Sequence, residues 1–218
     1  MAKQFAVLGL GSFGISLATT LEELGCEVIA VDPSEERIQQ VADDVSYAVC
    51  ASIEDRELLV MLGTRNLDGV IVAVSDNLEV SILATLMAKE LGAPFVMAKA
   101  KSDVHANILK KLGADSVVFP ERQMGSRLAK TIATRNFADW IELSPDYSMV
   151  EAPVPDDWVG KNLMELDARK RHGINVVGVI RGQDVKVNIL PEEAFEAGDL
   201  MILIGENSVL NRFSNGNK

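Results

Sequence analysis

Histidine and cysteine are scarce in this chain of 218 residues, with two of each, and their scarcity removes whole classes of chemistry. Cys26 and Cys50 have no CxxC spacing, and His105 and His172 are the only imidazoles, so neither a zinc site nor a disulfide framework is predicted. Both thiols, each beside a predicted strand, read as inert core residues. No apolar run reaches the roughly 18 residues of a membrane-spanning helix, and the N-terminus has no basic stretch leading into a long apolar one. A soluble, cytoplasmic protein is therefore expected. Clusters of Lys and Arg are missing as well: 21 basic residues face 32 acidic ones, for a net charge of −11. That balance disfavours nucleic acid and anionic membranes as principal partners, since both reward concentrated positive charge. No Gly-x-x-x-x-Gly-Lys-Ser/Thr loop is present, which excludes a P-loop phosphotransferase. A dehydrogenase needs an acid or base near a substrate carbonyl, and candidates are few. His105 falls in a helix after the fifth predicted strand and reads as a solvated or structurally bonded side chain. His172 precedes Gly173 at a helix end, where it complements the dipole.

What the chain does have starts at Phe5. The run Phe5-Ala6-Val7-Leu8-Gly9-Leu10-Gly11-Ser12-Phe13-Gly14 is an apolar strand entering Gly-x-Gly-x-x-Gly and then a helical segment. Gly9 takes the tight turn, Gly11 leaves room for a pyrophosphate against the backbone, and Gly14 lets the helix pack on the strand. Asp32 ends a second apolar run, Val28–Val31, about 20 residues on, where a carboxylate accepts from ribose hydroxyls. That acid suits the diol of ADP or of NAD equally, so a nucleotide site is predicted and the nucleotide is left open.

The first 119 residues alternate strand and helix signals. Phe5–Leu8, Val28–Val31, Tyr47–Cys50, Val70–Val74, Phe95–Ala98 and Ser116–Phe119 are six continuous Val- and Ile-rich candidates, as expected of strands covered on both faces. The fold class is α/β, a Rossmann-like doubly wound parallel sheet with a crossover helix, followed by a small α+β domain. Helix starts are marked by Ser34-Glu35-Glu36-Arg37 and by Asn77, and stops by Gly92 with Pro94 and by Gly113. After Pro120, the residues Met124, Leu128, Ile132 and Phe137 line one face of a helix of about four turns. This helix either closes the sheet or leaves it to pack on another subunit or domain. The texture then turns Pro- and Asp-rich around Leu143-Ser144-Pro145-Asp146, which reads as a junction. We divide the chain into a nucleotide-binding domain, 1–140, and a C-terminal ligand-binding domain, 141–218. The second is expected to contain strands Ser148–Ala152, Ile174–Ile180, Val185–Ile189 and Leu200–Ile204, a helix Asn162–Arg171 and a short final helix.

Ligands of open α/β sheets lie outside the carboxyl ends of the strands. Ser52, Ser75 and Asp76, Lys99, and Glu121 follow the third to sixth strands there; Ser12, Phe13 and Pro33 complete the expected site beside the glycines and Asp32. An amine at Lys99 supplies countercharge for a di- or triphosphate. A carboxylate at Glu121 repels phosphates unless a cation sits between them, so it marks a candidate metal position.

With these residues in hand, the chain resembles the cytoplasmic gating subunits of bacterial potassium uptake systems, the KtrA/TrkA type of regulator of potassium conductance. The resemblance rests on Phe5–Gly14, Asp32, Ala98-Lys99-Ala100, Leu109–Asp115 and above all Phe119-Pro120-Glu121-Arg122-Gln123-Met124-Gly125. In the second half, Trp158–Leu163 and Glu196-Ala197-Gly198-Asp199-Leu200 are similar to the small C-terminal domain of the same regulators. The resemblance implies no enzyme. It implies dimers formed through the crossover helix, a homo-octameric ring under a KtrB-like membrane translocator, and ATP or ADP stabilising different ring shapes. It places a ribose acid at Asp32, a phosphate lysine at Lys99, and Mg2+, Ca2+ or Na+ at Glu121. Such sequences commonly carry Arg directly after the second glycine. Ser12 stands there in this chain and adds no charge, which implies a weaker preference for ATP over ADP or a greater reliance on a cation. Some relatives bind cyclic di-AMP in the C-terminal domain, where Arg169, Asn175 and Pro191 fall in this chain. The competing expectation is an NAD(H)-binding redox sensor or oxidoreductase.

Overall fold

The computed structural model describes residues 2–133, 139–187 and 189–214. These form two compact units, Met1–Glu121 and Arg122–Lys218. In the first, six strands alternate with five helices. The strands are β1 (Gln4–Leu8), β2 (Glu27–Asp32), β3 (Tyr47–Cys50), β4 (Gly69–Val72), β5 (Val96–Lys99) and β6 (Ser116–Val118). The helices are α1 (Ser12–Glu23), α2 (Glu35–Val41), α3 (Arg56–Met61), α4 (Leu78–Glu90) and α5 (Asp103–Lys111). The sheet order is β3-β2-β1-β4-β5-β6, with every pairing parallel. Order reverses on the two sides of β1, so its carboxyl end opens onto the crevice between β1 and β4.

Alternation within each strand builds the two faces of this sheet. Leu8, Val72 and Val96 point into one buried cluster with Leu59 and Leu109, whereas Val7, Val28 and Ile71 point into the other. Burial on both sides is why these strands read as unbroken apolar runs; each fully buried Val or Leu side chain contributes about 1.5–3 kcal/mol. All six predicted strands form, each within a residue or two of its expected ends.

The second unit begins inside α6 (Pro120–Ala133). It continues as β7 (Asp139–Glu142), β8 (Tyr147–Pro153), α7 (Leu163–Leu166), α8 (Ala168–His172), β9 (Ile174–Arg181), β10 (Asp184–Lys186), β11 (Leu200–Glu206) and α9 (Asn207–Ser214). The sheet is antiparallel, ordered β10-β9-β11-β8-β7. One of its faces is core, with Val150, Ala152, Met201 and Leu203 packed on Trp158, Leu166 and Leu210.

Several details differ from the sequence expectation, β7 itself being a strand that was not predicted. The Leu143–Asp146 stretch is the turn of the β7–β8 hairpin, closed by Leu143 and Ser144 N–H donating to the Tyr147 carbonyl, both at 3.0 Å. The 140/141 boundary accordingly lies within the second unit: Arg127 Nε donates to Asp139 Oδ1 at 3.1 Å and Lys130 pairs with Glu142, tying α6 to β7. The helix expected over Asn162–Arg171 is split, because Asp167 is left-handed (φ 43°, ψ 45°), a conformation that a short acid tolerates better than most residues. The strand expected over Val185–Ile189 is only Asp184–Lys186; Asn188 lies outside the described residues, as does Phe137 of the crossover helix. Among the described residues, no helix is long and apolar enough to cross a membrane.

Candidate functional site

The loop between β1 and α1 uses its three glycines in three physical ways. Gly9 has φ +97°, and a Cβ there would lie 2.4 Å from Val74 Cγ2. A Cβ on Gly14 would lie 2.0 Å from the Gly9 carbonyl oxygen, so helix and loop touch only because that side chain is absent. Gly11 is different: its backbone is extended (φ −69°, ψ 179°), and a Cβ there meets nothing within 4 Å. Neither backbone nor packing within the chain requires glycine at that position. The open space in front of it is what a phosphate group needs.

The helix that follows is left bare. Ser34, Asp55, Asn77 and Ser102 cap α2 to α5 with side-chain acceptors, and those helices carry Glu35 and Glu36, Glu57, Glu79 and Asp103 in their first turns. In α1 no side chain caps the start and no acid lies in the first turn. Its terminal N–H groups and the positive end of its dipole therefore lack the negative partner that α2 to α5 have.

Asp32, 1% exposed, latches this loop to the end of β2. Oδ2 accepts from Leu10 N–H at 2.7 Å and Oδ1 from Ser34 N–H at 2.8 Å. Arg37, one turn into α2, reaches Oδ2 at 3.4 Å. The carboxylate expected to meet a ribose is thus the anchor of the glycine loop. Spacing from Gly9 locates it, but the amide partners and Arg37 depend on the fold; a basic residue five positions after the acid was the available signal.

On the other side of the crevice Lys99 Nζ sits 5.7 Å from the centroid of the Phe13 ring and 2.5 Å from Glu121 Oε1. The lysine side chain is only 13% exposed and that of Glu121 is 68% exposed. Hydrogen bonding to Lys99 is the main cause that pulls the Glu121 carboxyl below its usual pKa; Asp76 opposes it weakly. Asp76 is exposed and takes an ion pair from Lys101 at 3.4 Å. Ser75 is buried after β4, whereas Ser52 and Pro33 are exposed at the ends of β3 and β2. The parallel sheet thus sets Gly9–Gly14, Asp32, Pro33, Ser52, Ser75, Asp76, Lys99 and Glu121 along its carboxyl edge. Among the described residues, no three His, Cys, Asp or Glu side chains group as a metal cluster, so Glu121 offers a cation one donor rather than a cage.

The cysteines are not the core thiols expected. Cys26 is half-buried and Cys50 exposed, because β3 is the edge of the sheet; the Cys50 thiol points to the Pro33 carbonyl at 3.6 Å. His105 is structural, as one of the two expected readings had it. It is 3% exposed, with Nε2 3.2 Å from Ser81 Oγ. In the second unit Arg169 is exposed on α8, Asn175 is exposed on β9 and paired with Ile204, and Pro191 lies in a loop whose carbonyl accepts from Met164 N–H. Among the described residues, no hydrogen bond joins these three.

The parallel sheet, its glycine loop and the uncapped helix define a Rossmann-like domain of the nucleotide-binding class, here joined to a small α+β domain. The TrkA-N domain model matches residues 5–120 and the TrkA-C domain model residues 149–215. Ktr system potassium uptake protein C of Bacillus subtilis (strain 168) is 42% identical over 213 residues, 98% of this chain and 96% of that one. Ktr system potassium uptake protein A of Vibrio alginolyticus is 36% identical over 208 residues, 95% and 94% of the two chains. The solved structure described as the GsuK channel bound to NAD gives a TM-score of 0.66 at 21% identity. It shares the fold; the match covers 100% of this chain and only 40% of that one. The chain belongs to the TrkA/Ktr family of potassium uptake proteins.

Proposed function

We propose that this chain is the regulatory subunit through which nucleotide occupancy of the β1–α1 crevice controls a KtrB-like potassium translocator in the cell membrane. The observation that carries this reading is the bare N-terminus of α1 behind the open space at Gly11, with the Lys99 ammonium beside Phe13 in the first helical turn. Preorganised N–H donors and one cation are what a diphosphate requires, and ATP and ADP are the ligands proposed. Switching demands that the two nucleotides favour different conformations, because a ligand with equal affinity for both states shifts nothing. The γ-phosphate is the natural discriminator. Ser12 gives it a hydroxyl but no charge, so Mg2+, Ca2+ or Na+ shared between Glu121 and phosphate oxygens supplies the missing countercharge in this reading.

Assembly follows from α6, where Met124 and Leu128 are 52% exposed and Ile132 is 80% exposed. Spaced four apart, they form one apolar stripe that a second copy covers in the proposed dimer. Four such dimers make the octameric ring, cytoplasmic and peripheral at the inner membrane face through its partner. No reaction is assigned. Cyclic di-AMP at Arg169, Asn175 and Pro191 is a separate proposal; absence of heat on titrating it into the full chain removes it.

Calorimetry of ATP, ADP and NAD+ with and without Mg2+, followed by potassium flux in vesicles holding the translocator, tests the main reading. Adenine nucleotide binding and nucleotide-dependent flux are expected. Binding of NAD+ alone overturns it in favour of an NAD(H) sensor, the reading that the NAD of the GsuK structure suggests.

A further inference from the structure

The segment joining β5 to α5 follows Lys99, the last residue of β5, and is tied down at several points. Lys99 reaches Glu121 and Phe13, Ala100 N–H donates to the Val118 carbonyl at 2.9 Å, and Lys101 Nζ reaches Asp76. One of these anchors is buried and titratable. Lys101 N–H donates to His105 Nδ1 at 3.3 Å, and His105 Nε2 lies 3.2 Å from Ser81 Oγ in α4. An amide N–H can only donate, so Nδ1 is the acceptor and Nε2 carries the proton toward Ser81. Burial lowers the pKa from 6.5, which keeps the ring neutral and Nδ1 free to accept. Ser81 and Thr85 are fully buried, and Thr85 Oγ1 donates to the Ser81 carbonyl at 2.8 Å, so the far end of this link stands on the rigid interior of α4. Ser102 Oγ accepts from His105 N–H at 3.2 Å and closes the first turn of α5 around the same residue.

We propose that His105 is a positioning residue for the nucleotide site: it pins the β5–α5 segment to α4 and thereby holds the Lys99 ammonium at the start of α1. This rests on the reading above that Lys99 faces the phosphates. His105 is a buried side chain bonded to that segment, whereas the carboxylates that Lys99 and Lys101 reach are at least two-thirds exposed and hold geometry poorly by themselves. The sheet fixes the backbone of Lys99 through its pairing with Val118, and the imidazole adds a dry side-chain link from the residues just after it to α4.

The full chain and four variants test this by ADP calorimetry, with melting curves to report folding. Lys99→Met should weaken ADP by about tenfold, the loss of one charge-assisted contact. His105→Gln places its polar end near Nε2 and abandons the Lys101 amide, and is expected to lose roughly three- to tenfold. His105→Asn places its carbonyl oxygen near Nδ1, keeps the segment bond, and should bind within about twofold of the parent. The decisive measurement is the double variant Lys99→Met with His105→Gln. If histidine acts through the lysine, the double variant binds as Lys99→Met does; a general structural role adds its full loss instead. Additive losses, or parental affinity in His105→Gln, overturn the proposal while leaving the site reading intact. No ADP binding by the parent, or parental affinity in Lys99→Met, overturns both. Should His105→Gln not fold, His105→Asn carries the test, since a tenfold loss there refutes the role assigned to Nδ1.

Discussion

Replacing Gly11 by alanine separates the two reasons a loop can need glycine. If Gly11 serves the fold, Gly11→Ala destabilises; if it serves a ligand, the fold is indifferent and binding is lost. The structure puts a magnitude on both. The backbone at Gly11 is extended and a Cβ meets nothing within 4 Å, so no strain enters. Alanine is a poorer N-cap than glycine by about 0.5–1 kcal/mol, while removing glycine from the unfolded chain returns about 0.4–1 kcal/mol. The two nearly cancel, and the melting temperature should stay within about 4 °C of the parent. For the ligand, the methyl group occupies the approach of a phosphate oxygen to the α1 amides. Losing one charge-assisted hydrogen bond, about 1.5–3 kcal/mol, weakens ADP roughly 10- to 150-fold. Calorimetry and a thermal melt on the same preparation measure both. Affinity within twofold of the parent refutes the phosphate cradle, and a melting point lowered by more than about 8 °C refutes the claim that the fold is indifferent.

Three further outcomes follow from the same geometry. Gly14→Ala drives a Cβ to 2.0 Å from the Gly9 oxygen; it should destabilise by about 3 kcal/mol and lower the melting temperature by roughly 6–12 °C. Asp199 is 1% exposed, pairs with Arg181 through two bonds of 2.8 Å and accepts from Glu196 N–H at 2.8 Å; Asp199→Asn should remove about 2–3 kcal/mol at pH 7. The Arg181 guanidinium holds the Asp199 carboxyl below its usual pKa. Its stabilisation is complete above the ordinary carboxylate range and is lost as pH falls through the lowered value, so the melting-temperature gap between parent and variant should close in acid. Leu128→Glu puts a charge in the exposed stripe of α6 and should halve the mass of the smallest assembly seen by light scattering; an unchanged mass removes the dimer contact.

Legibility in the sequence followed burial. Strands covered on both faces, such as Val70–Val72, announce themselves as unbroken apolar runs, and the glycine spacing located the crevice. β7 escaped notice because it is a four-residue edge strand with an acid at each end; Trp140 and Ile141 ahead of the Ser144-Pro145-Asp146 turn were its signal. The break at Asp167 was not legible, since a left-handed aspartate is imposed by what surrounds it rather than by local propensity. Cys50 was misplaced for a related reason: Tyr47–Cys50 reads like a covered strand, and only the sheet order reveals an edge. Asp32 was found by distance, yet its burial and its two amide partners belong to the folded loop. His105 was read as solvated or structurally bonded, without any indication of what it holds.

The empty first turn of α1 has a consequence for how this protein responds to selection. An acceptor at the cap and an acid in the first turn add about 0.3–1 kcal/mol each, and the four neighbouring helices have both. A screen for heat resistance alone should therefore recover acids near Ser12 and Phe13, each filling the helix terminus with a charge of the chain's own. On the function proposed above, such a protein melts higher and no longer responds to nucleotide, because the fixed carboxylate takes the place proposed for the phosphate. Thermal robustness and responsiveness compete here for the same few amides.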